Sequence, residues 1–421
     1  MHLSLDQVLA AHQTPYPLRA LTKLDLKGLC KALWTWEKRC PNCPDADGED
    51  PNVCPRYYCP WGRRFEVLAT FFEYYRQETR GYLPHSHGGG SQALRNNQDL
   101  ADIITLLRTS SAAKTREQCM EEYFASRTQN QPSAIPLVDQ ERAFVLAAKI
   151  ITMVAVNLPT HRDAITTVAL SREDLRRELP DCRWLKSQSL QVAILDAFPP
   201  HGEKVNLGTI KPTLTATNLI RLAKLQIKGT NDLRCHLQLD PKSGKVWIFH
   251  HTVFMKEHLT TTRPKQGQST TSHAAAPCLP RDLLLETLYT LHLLFPLEDD
   301  ECQKLLRELT VTEKFDPDCL IYGTSTYEND DEVPRVVQFP IWGARLNDLY
   351  NEIHSPTPRT MMETWTERHS NPRYTMMVTL IGIAITVLVA IFTLILSIFQ
   401  AVVAWLQYRQ QMSQSGAQTG H

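Results

Sequence analysis

The sequence predicts a mainly helical fold with a small β-hairpin (α+β), followed by one transmembrane helix close to the C-terminus. Three observations lead to this fold class. The stretch from Tyr374 to Tyr408 has no charged residue and is long enough to cross a bilayer. Apolar residues recur at helical spacing through much of the preceding chain. In its middle, two alternating segments flank Asp-Pro-Lys-Ser-Gly, which is typical of a hairpin.

Composition limits the function classes that are open to the soluble part. The 421 residues include 45 basic and 45 acidic side chains, and this balance argues against a nucleic-acid footprint over the whole chain. The N-terminus lacks the basic, apolar and small-residue pattern of a signal peptide, and no Asn-x-Ser/Thr sequon is present. We therefore expect a cytosolic soluble part in which the 11 cysteines are reduced.

The N-terminal region, residues 1–130, is predicted to be helical, with helices near Phe65–Arg76 and Gln98–Leu107. A Cys-rich loop, residues 40–59, interrupts these helices and carries Cys40, Cys43, Cys54 and Cys59. Four thiolates in one loop can bind Zn²⁺ tetrahedrally, and the interleaved prolines would restrict the unfolded loop. The four-residue spacing of the second pair weakens this match. Unliganded thiols and disulfides are the alternatives, and a closed four-Cys site would be structural.

The middle region, residues 137–259, is predicted to hold a helix over Asp139–Val156 and another over Leu214–Leu225. Thr215 or Thr213 is expected to cap the second helix. The β-hairpin is placed at residues 233–251. Helices followed by a hairpin also occur in winged-helix proteins, which is an analogy at the level of fold alone.

The C-terminal soluble region begins after a Thr-, Ser- and Pro-rich stretch, residues 260–278, that is predicted to be a flexible linker. Residues 279–370 then contain three predicted helices, at Leu279–Phe295, Asp299–Glu308 and Ala344–Ile353. Proline at either end of the first helix fixes its limits.

After the Cys-rich loop, the second group of candidate metal ligands is the histidines near the hairpin, His236, His250, His251 and His258. Adjacent residues of a strand point to opposite faces, so at most one of His250 and His251 could join His236. Packed or exposed histidines are favoured over metal ligands. No sequence motif of a hydrolase, a zinc protease, a phosphate loop or a dinucleotide-binding fold is present.

The transmembrane helix is placed at residues 374–405, with a short polar tail at residues 409–421. A buried core helix is the alternative, but such helices seldom run this long without charge. Arg359, Arg368 and Arg373 precede the span and only Arg409 follows it, so the N-terminal side is expected to be cytosolic. The few residues after the span favour tail-anchored insertion, with an endomembrane as the expected location.

One face of this helix carries small residues at steps of three and four, a spacing that allows another helix to pack closely. These residues are Thr379, Gly382, Thr386, Ala390, Thr393, Ser397, Ala401 and Ala404. A homo- or hetero-oligomer through this face is one interpretation. The general abundance of small residues in membrane helices is the other.

Several short segments resemble a group of uncharacterised proteins from filamentous fungi. They include Asn231–Leu237, Val246–His251, Leu279–Pro296, and the element Phe339, Trp342, Arg345 and Leu346. The similarity extends from about Asp139 through Trp365, Arg368 and the membrane helix. It implies the same architecture, a helical cytosolic region with one C-terminal membrane helix, and it implies no activity.

These patterns favour a non-catalytic interaction or scaffold protein that presents helical cytosolic domains at a membrane to an unknown protein partner. An enzyme of unrecognised type at the cytosolic membrane face is the alternative. A membrane-tethered regulator that binds nucleic acid is a third hypothesis, which the balanced charge disfavours.

Overall fold

The computed structural model describes residues 16–36, 64–84, 92–128, 135–158, 182–200, 213–262, 278–321, 339–359 and 372–418. The chain divides into two units, Met1–Pro356 and Thr357–His421. In the described residues, the first unit is mostly helical with one small sheet, and the second contains one long apolar helix. The predicted fold class is confirmed.

The helices of the first unit follow one another along the chain with the sheet between α8 and α9. They are α1 (Lys23–Trp34), α2 (Phe65–Val67), α3 (Ala69–Arg80), α4 (Asn97–Ser110), α5 (Arg116–Thr128), α6 (Leu137–Thr152), α7 (Leu190–Ala197), α8 (Ala216–Arg221), α9 (Thr252–Thr261), α10 (Arg281–Leu294), α11 (Asp300–Thr312) and α12 (Gly343–His354). Two 3₁₀ turns lie at Leu233–Cys235 and Pro317–Leu320.

Helix starts are set by side chains that accept the unpaired backbone N–H groups of the first turn. Thr22 and Asp25 form a capping box at α1, in which Thr22 Oγ1 accepts from Asp25 N at 3.2 Å and Asp25 Oδ2 accepts from Thr22 N at 2.8 Å. Asn96 caps α4 in a similar way, and Thr215 caps α8. The prediction of Thr215 as a cap is therefore confirmed. At the other end of α6, Met153 takes a left-handed conformation with φ of 51° and ends the helix earlier than predicted.

The sheet has three strands, β1 (Gln226–Thr230), β2 (Gln238–Asp240) and β3 (Lys245–Phe249), in the order β1-β3-β2. β2 and β3 pair antiparallel, which confirms a hairpin within residues 233–251. β1, which pairs parallel with β3, was not predicted. Its five residues, Gln-Ile-Lys-Gly-Thr, have little alternation, and its pairing partner lies beyond an intervening turn and strand.

One hydrophobic core draws on all three predicted soluble regions. Trp34 of α1 lies 5.5 Å from the ring of Phe71 and 6.2 Å from that of Phe254 in α9. Burying each such aromatic side chain contributes about 2–3 kcal/mol. The helical regions before and after the predicted linker therefore share a core. Most of that linker, residues 263–277, lies outside the described residues.

The second unit contains α13 (Pro372–Gln418), which includes the candidate membrane span Thr379–Gln410. The side chains of this span are exposed in the described part of the chain. Length and composition alone make α13 a candidate membrane helix, in agreement with the predicted span at residues 374–405.

Candidate functional site

The predicted zinc ligands lie outside the residues that the structure describes; these are Cys40, Cys43, Cys54 and Cys59. Within the described ranges, no group of three or more His, Cys, Asp or Glu side chains is placed to hold a metal ion. The zinc site therefore stays a prediction. The structure does define Trp36 and Arg64, the residues on either side of the segment that contains the Cys-rich loop.

Trp36 and Arg64 meet at one carboxylate, that of Glu257 in α9. Trp36 Nε1 donates to Glu257 Oε2 at 3.2 Å, and Arg64 Nε donates to Oε1 at 3.0 Å. Arg64 Nη2 forms an ion pair with the same carboxylate, and the guanidinium lies 5.0 Å from the Trp36 ring. Because Glu257 is buried, breaking this pair is expected to cost about 3–5 kcal/mol. The two ends of the intervening segment are thus held side by side on α9.

Buried histidines act as hydrogen-bond acceptors in the core. His258 Nδ1 accepts from Trp34 Nε1 at 2.9 Å, and the same nitrogen lies 3.0 Å from the carbonyl oxygen of Phe254. His236 Nδ1 accepts from the backbone N–H of Phe249 at 3.1 Å, so its Nε2 carries the proton that is donated to Thr290 Oγ1 at 2.7 Å. Burial lowers the pKa of His258 to about 4 and that of His236 well below its ordinary value.

The adjacent pair His250 and His251 stacks ring on ring, with centroids 4.5 Å apart. The prediction that they point to opposite faces of the hairpin was wrong, because β3 ends at Phe249 and both histidines belong to the turn into α9. His250 Nδ1 accepts from the backbone N–H of Asp316 at 3.1 Å, and His251 Nε2 bonds Asn231 Oδ1 at 2.8 Å. Burial lowers the pKa of His250 to about 4 and that of His251 well below its ordinary value.

Asp316 joins the turn after α11 to the start of α9. Its carboxylate accepts from the backbone N–H groups of Val253 at 3.1 Å and of Asp318 at 3.2 Å. Burial raises its pKa to about 7, against the opposing effect of these two donors. Since Asp316 caps two elements at once, its partners assign it a structural role.

Several cysteines in the described part of the chain are buried as neutral thiols. Burial raises the pKa of Cys119 to about 11 and that of Cys278 to about 12, and raises those of Cys30 and Cys319 well above the ordinary value. Cys319 Sγ donates to the carbonyl oxygen of His250 at 3.2 Å. A nucleophilic cysteine needs a lowered pKa, so these four thiols are unsuited to that role.

A buried carboxylate, Glu286 of α10, fixes the start of α12. It accepts from the backbone N–H of Ile341 at 2.9 Å and from that of Trp342 at 2.5 Å. Trp342 Nε1 in turn donates to Thr287 Oγ1 at 2.9 Å. Burial raises the pKa of Glu286 to about 7, although both backbone donors favour its ionised form. These bonds attach α12 to α10 through groups that the solvent does not reach.

Arg345 attaches α12 to the segment before β2. Its Nη1 donates to the carbonyl oxygen of Arg234 at 2.6 Å and also to that of His236, and its guanidinium lies 5.1 Å from the Trp342 ring. Trp342 also meets the His236 ring edge-on at 5.0 Å. The relative positions of β2 and α12 are therefore set by several independent contacts.

An open groove of about 410 Å³ lies between β2 and α12, and it is the candidate binding site in the described part of the chain. Its lining residues are Leu237, Gln238, Leu239, Pro241, Arg345, Asp348, Asn351, Glu352 and Ser355. Gln238 Oε1 is buried without a hydrogen-bond partner. Burial raises the pKa of Asp348, with Arg345 opposing. The polar lining of the groove thus includes one arginine and two acidic side chains, Asp348 and Glu352.

The sequence interpretation missed this groove because its two walls lie about a hundred residues apart. One local signal was available. Glu286 is a charged residue on the buried face of α10, where Leu283 and Leu288 are fully buried. A charged residue at such a position needs partners inside the protein, and its partners are the first residues of α12.

The small-residue face of α13 carries hydroxyl groups that are satisfied within the helix. Thr386 Oγ1 donates to the Gly382 carbonyl at 2.8 Å, and Ser397 Oγ donates to that of Thr393 at 2.9 Å. Because these hydroxyl groups already have a partner within the helix, the residues can face either lipid or a second helix. Oligomer formation through this face therefore stays a prediction.

The segments on which the resemblance to fungal proteins rests meet beside the groove. Arg234 and His236 belong to Asn231–Leu237, Glu286 belongs to Leu279–Pro296, and Trp342 and Arg345 belong to the element that begins at Phe339. Their contacts explain how residues distant in the sequence build one structural unit. Comparison of the chain with protein-family models, with curated proteins and with solved structures finds no match.

Proposed function

We propose that this chain is a membrane-anchored interaction protein, in which α13 holds a helical binding unit at a bilayer. The observation that carries the proposal is the apolar span Thr379–Gln410, a helix whose large hydrophobic side chains are exposed in the described structure. At a rise of about 1.5 Å per residue, its 32 residues extend about 48 Å, more than a hydrocarbon core of about 30 Å requires. Trp405, with the Arg409 guanidinium 5.4 Å from its ring, suits the headgroup layer at one end.

The cytosolic orientation of the binding unit is part of this proposal. Arg359, Arg368 and Arg373 lie before the span and Arg409 after it, and positive charge is retained on the cytosolic side. Protease protection of the full chain in sealed vesicles tests this arrangement. We expect digestion of the first unit without detergent, and protection of that unit would reverse the orientation.

A binding role for the first unit is supported by the way its reactive side chains are used. Core histidines accept hydrogen bonds from fixed donors, and Asp316 and Glu286 cap backbone N–H groups. These groups have partners that hold the fold together. A structural zinc ion in the Cys-rich loop fits the same role, since it would order a loop whose neighbours are both held by Glu257.

Membrane integration is the direct test of the proposal. Carbonate extraction of membranes that contain the full chain should leave the protein in the pellet. A chain that ends at Arg373 keeps the whole first unit and should appear in the supernatant. Release of the full chain by carbonate would refute the anchor.

A further inference from the structure

Hydroxyl and amide side chains in α13 repeat at intervals of seven residues between Thr379 and Gln407. This stretch carries six such side chains, and five of them form the repeat. The five, which we call the heptad stripe, are Thr379, Thr386, Thr393, Gln400 and Gln407. The sixth, Ser397, lies four residues after Thr393 and therefore on the same face. All hydroxyl and amide side chains of this stretch thus follow one side of the helix.

A second row completes the seam of a two-helix coiled coil. Each of the first four residues of the heptad stripe is followed four positions later by a residue of this row, Ile383, Ala390, Ser397 and Ala404. The steps along the seam therefore alternate between four and three, and an average step of 3.5 residues keeps two helices in contact through a left-handed supercoil. The other faces carry mostly large apolar side chains, which suit lipid and leave one narrow face for one partner helix.

The amide groups distinguish this seam from a row of small residues. The hydroxyl groups of Thr386 and Thr393 donate to backbone carbonyl oxygens of their own helix. An amide oxygen has no such solution, because each backbone N–H inside a helix already donates to the residue four positions earlier. With Trp405 in the headgroup layer, Gln400 lies about 7.5 Å closer to the bilayer centre. An acceptor without a donor is costly there, so Gln400 favours a partner that brings an N–H group.

We propose that α13 pairs in parallel with α13 of a second copy of this chain, in register along the heptad stripe. Two copies that insert with the same orientation place equal residues at the same depth, so Gln400 of one copy faces Gln400 of the other. An amide has both donors and an acceptor, and two facing amides can therefore satisfy each other. A different protein would need an amide at the same depth, whereas a second copy always has one. This inference rests on the proposed membrane anchoring and names the partner of the anchor.

Single-molecule photobleaching tests the pair with the full chain in phosphatidylcholine liposomes, each chain carrying one fluorophore on a C-terminal tag. A series of protein-to-lipid ratios gives the dissociation constant. We expect two bleaching steps at the higher ratios and single steps on dilution. Single steps at every ratio would overturn the proposal, since no other protein is present, and would leave the stripe to a different partner. A majority of complexes with more than two steps would also contradict a pair.

Variants of Gln400 test the amide contact. Gln400→Leu removes the amide and should weaken the pair about tenfold or more, whereas Gln400→Asn keeps an amide and should keep most of the affinity. The matched control combines Gln400→Leu with Val402→Gln, which moves the amide by two residues to the opposite side of the helix. This double variant should be as weak as Gln400→Leu. Unchanged affinity in Gln400→Leu, or restored affinity in the double variant, would refute the contact.

Cysteine crosslinking tests the parallel register independently. Ala404→Cys lies in the seam beside Trp405, Val402→Cys lies on the opposite side, and α13 contains no native cysteine. Equal positions face each other in a parallel pair, so oxidation by copper phenanthroline should link chains that carry Ala404→Cys. Chains with Val402→Cys should stay at the background of the unmodified protein. Equal linking of the two variants, or linking of neither, would overturn the register.

The outcome is separable from that of the proposed function. A chain that resists carbonate extraction but stays monomeric keeps the anchor and removes the pairing. A chain that carbonate extracts from membranes removes the anchor itself, whatever its state of association.

Discussion

Acidification should destabilise the first unit at a mildly acidic pH, because its core depends on neutral histidines. His236, His250 and His258 each accept at Nδ1 from an N–H group that cannot itself become an acceptor. Protonation of Nδ1 would set donor against donor at His236 and His250, and at His258 it would oppose the Trp34 donor although the Phe254 carbonyl lies 3.0 Å away. His251 is equally buried, and burial lowers the pKa of all four rings.

The direction of the effect follows from proton binding in the two states. Below an unfolded histidine pKa of about 6.5, each unfolded ring binds a proton that its folded counterpart excludes, so stability falls as the pH falls. Asp316 and Glu286 act in the opposite sense, since their folded pKa values of about 7 exceed those in the unfolded chain. Four histidines against two carboxyl groups leave about half an extra proton on the unfolded state at pH 6.5 and about two at pH 5, and each proton is worth about 1.4 kcal/mol per pH unit.

The resulting loss of stability is about 3 kcal/mol between pH 6.5 and pH 5. This is a large part of the 5–15 kcal/mol typical of whole domains. Urea unfolding of the full chain in detergent micelles, followed by tryptophan fluorescence at pH 7, 6 and 5, measures it directly. His258→Gln should lower overall stability and also reduce the pH dependence by about one proton. Asn347→Gln, at an exposed position on α12, should leave the pH dependence unchanged. Constant stability between pH 6.5 and 5, or the same pH dependence in His258→Gln, would refute the reasoning.

Three further predictions concern the start of α12, the Cys-rich loop and the membrane helix. Glu286→Leu leaves the backbone N–H groups of Ile341 and Trp342 without their acceptor and should lower the free energy of urea unfolding by about 2–4 kcal/mol. The control Glu308→Leu, on the exposed side of α11, should lower it by less than about 1 kcal/mol. Equal losses of unfolding free energy would contradict the capping role. Metal analysis of the purified chain should find about one equivalent of zinc. Cys40→Ser should remove this zinc, and the control Cys119→Ala should retain it. Less than about half an equivalent of zinc in the unmodified chain would exclude the site. Ala390→Leu on the small-residue face of α13 should abolish helix association, as counted by single-molecule photobleaching. The control Ala384→Leu, which lies outside this face, should leave the association unchanged. A monomeric unmodified chain would rule out an oligomer through this face.

Local patterns predicted much of the helical fold. Periodic apolar residues indicated α4, α10, α11 and α12 to within a few residues, and Thr215 was expected as a helix cap. The turn between β2 and β3 was visible in Asp240 and the residues that follow it, because that side chain accepts from its neighbours in the turn. These features depend on interactions over a few residues, which is why the sequence reveals them.

Interactions between distant segments escaped prediction. β1 pairs with β3 across an intervening turn and strand, and the short β3 ends one residue before His250, which changes the direction of both adjacent histidines. The groove exists because Arg345 bonds carbonyl groups about a hundred residues earlier. Spacing along the chain carries no record of such contacts, since they depend on how the helices pack.

The most direct test of membrane anchoring is sedimentation after carbonate treatment of the full chain beside the same chain with Ile385→Lys and Leu396→Lys in its apolar span. Each central lysine is expected to cost about 3 kcal/mol of insertion free energy. We predict that the unmodified chain stays with the membranes and that the double variant is released with an intact first unit. Retention of both proteins, or release of both, would contradict a role for α13 as the membrane anchor.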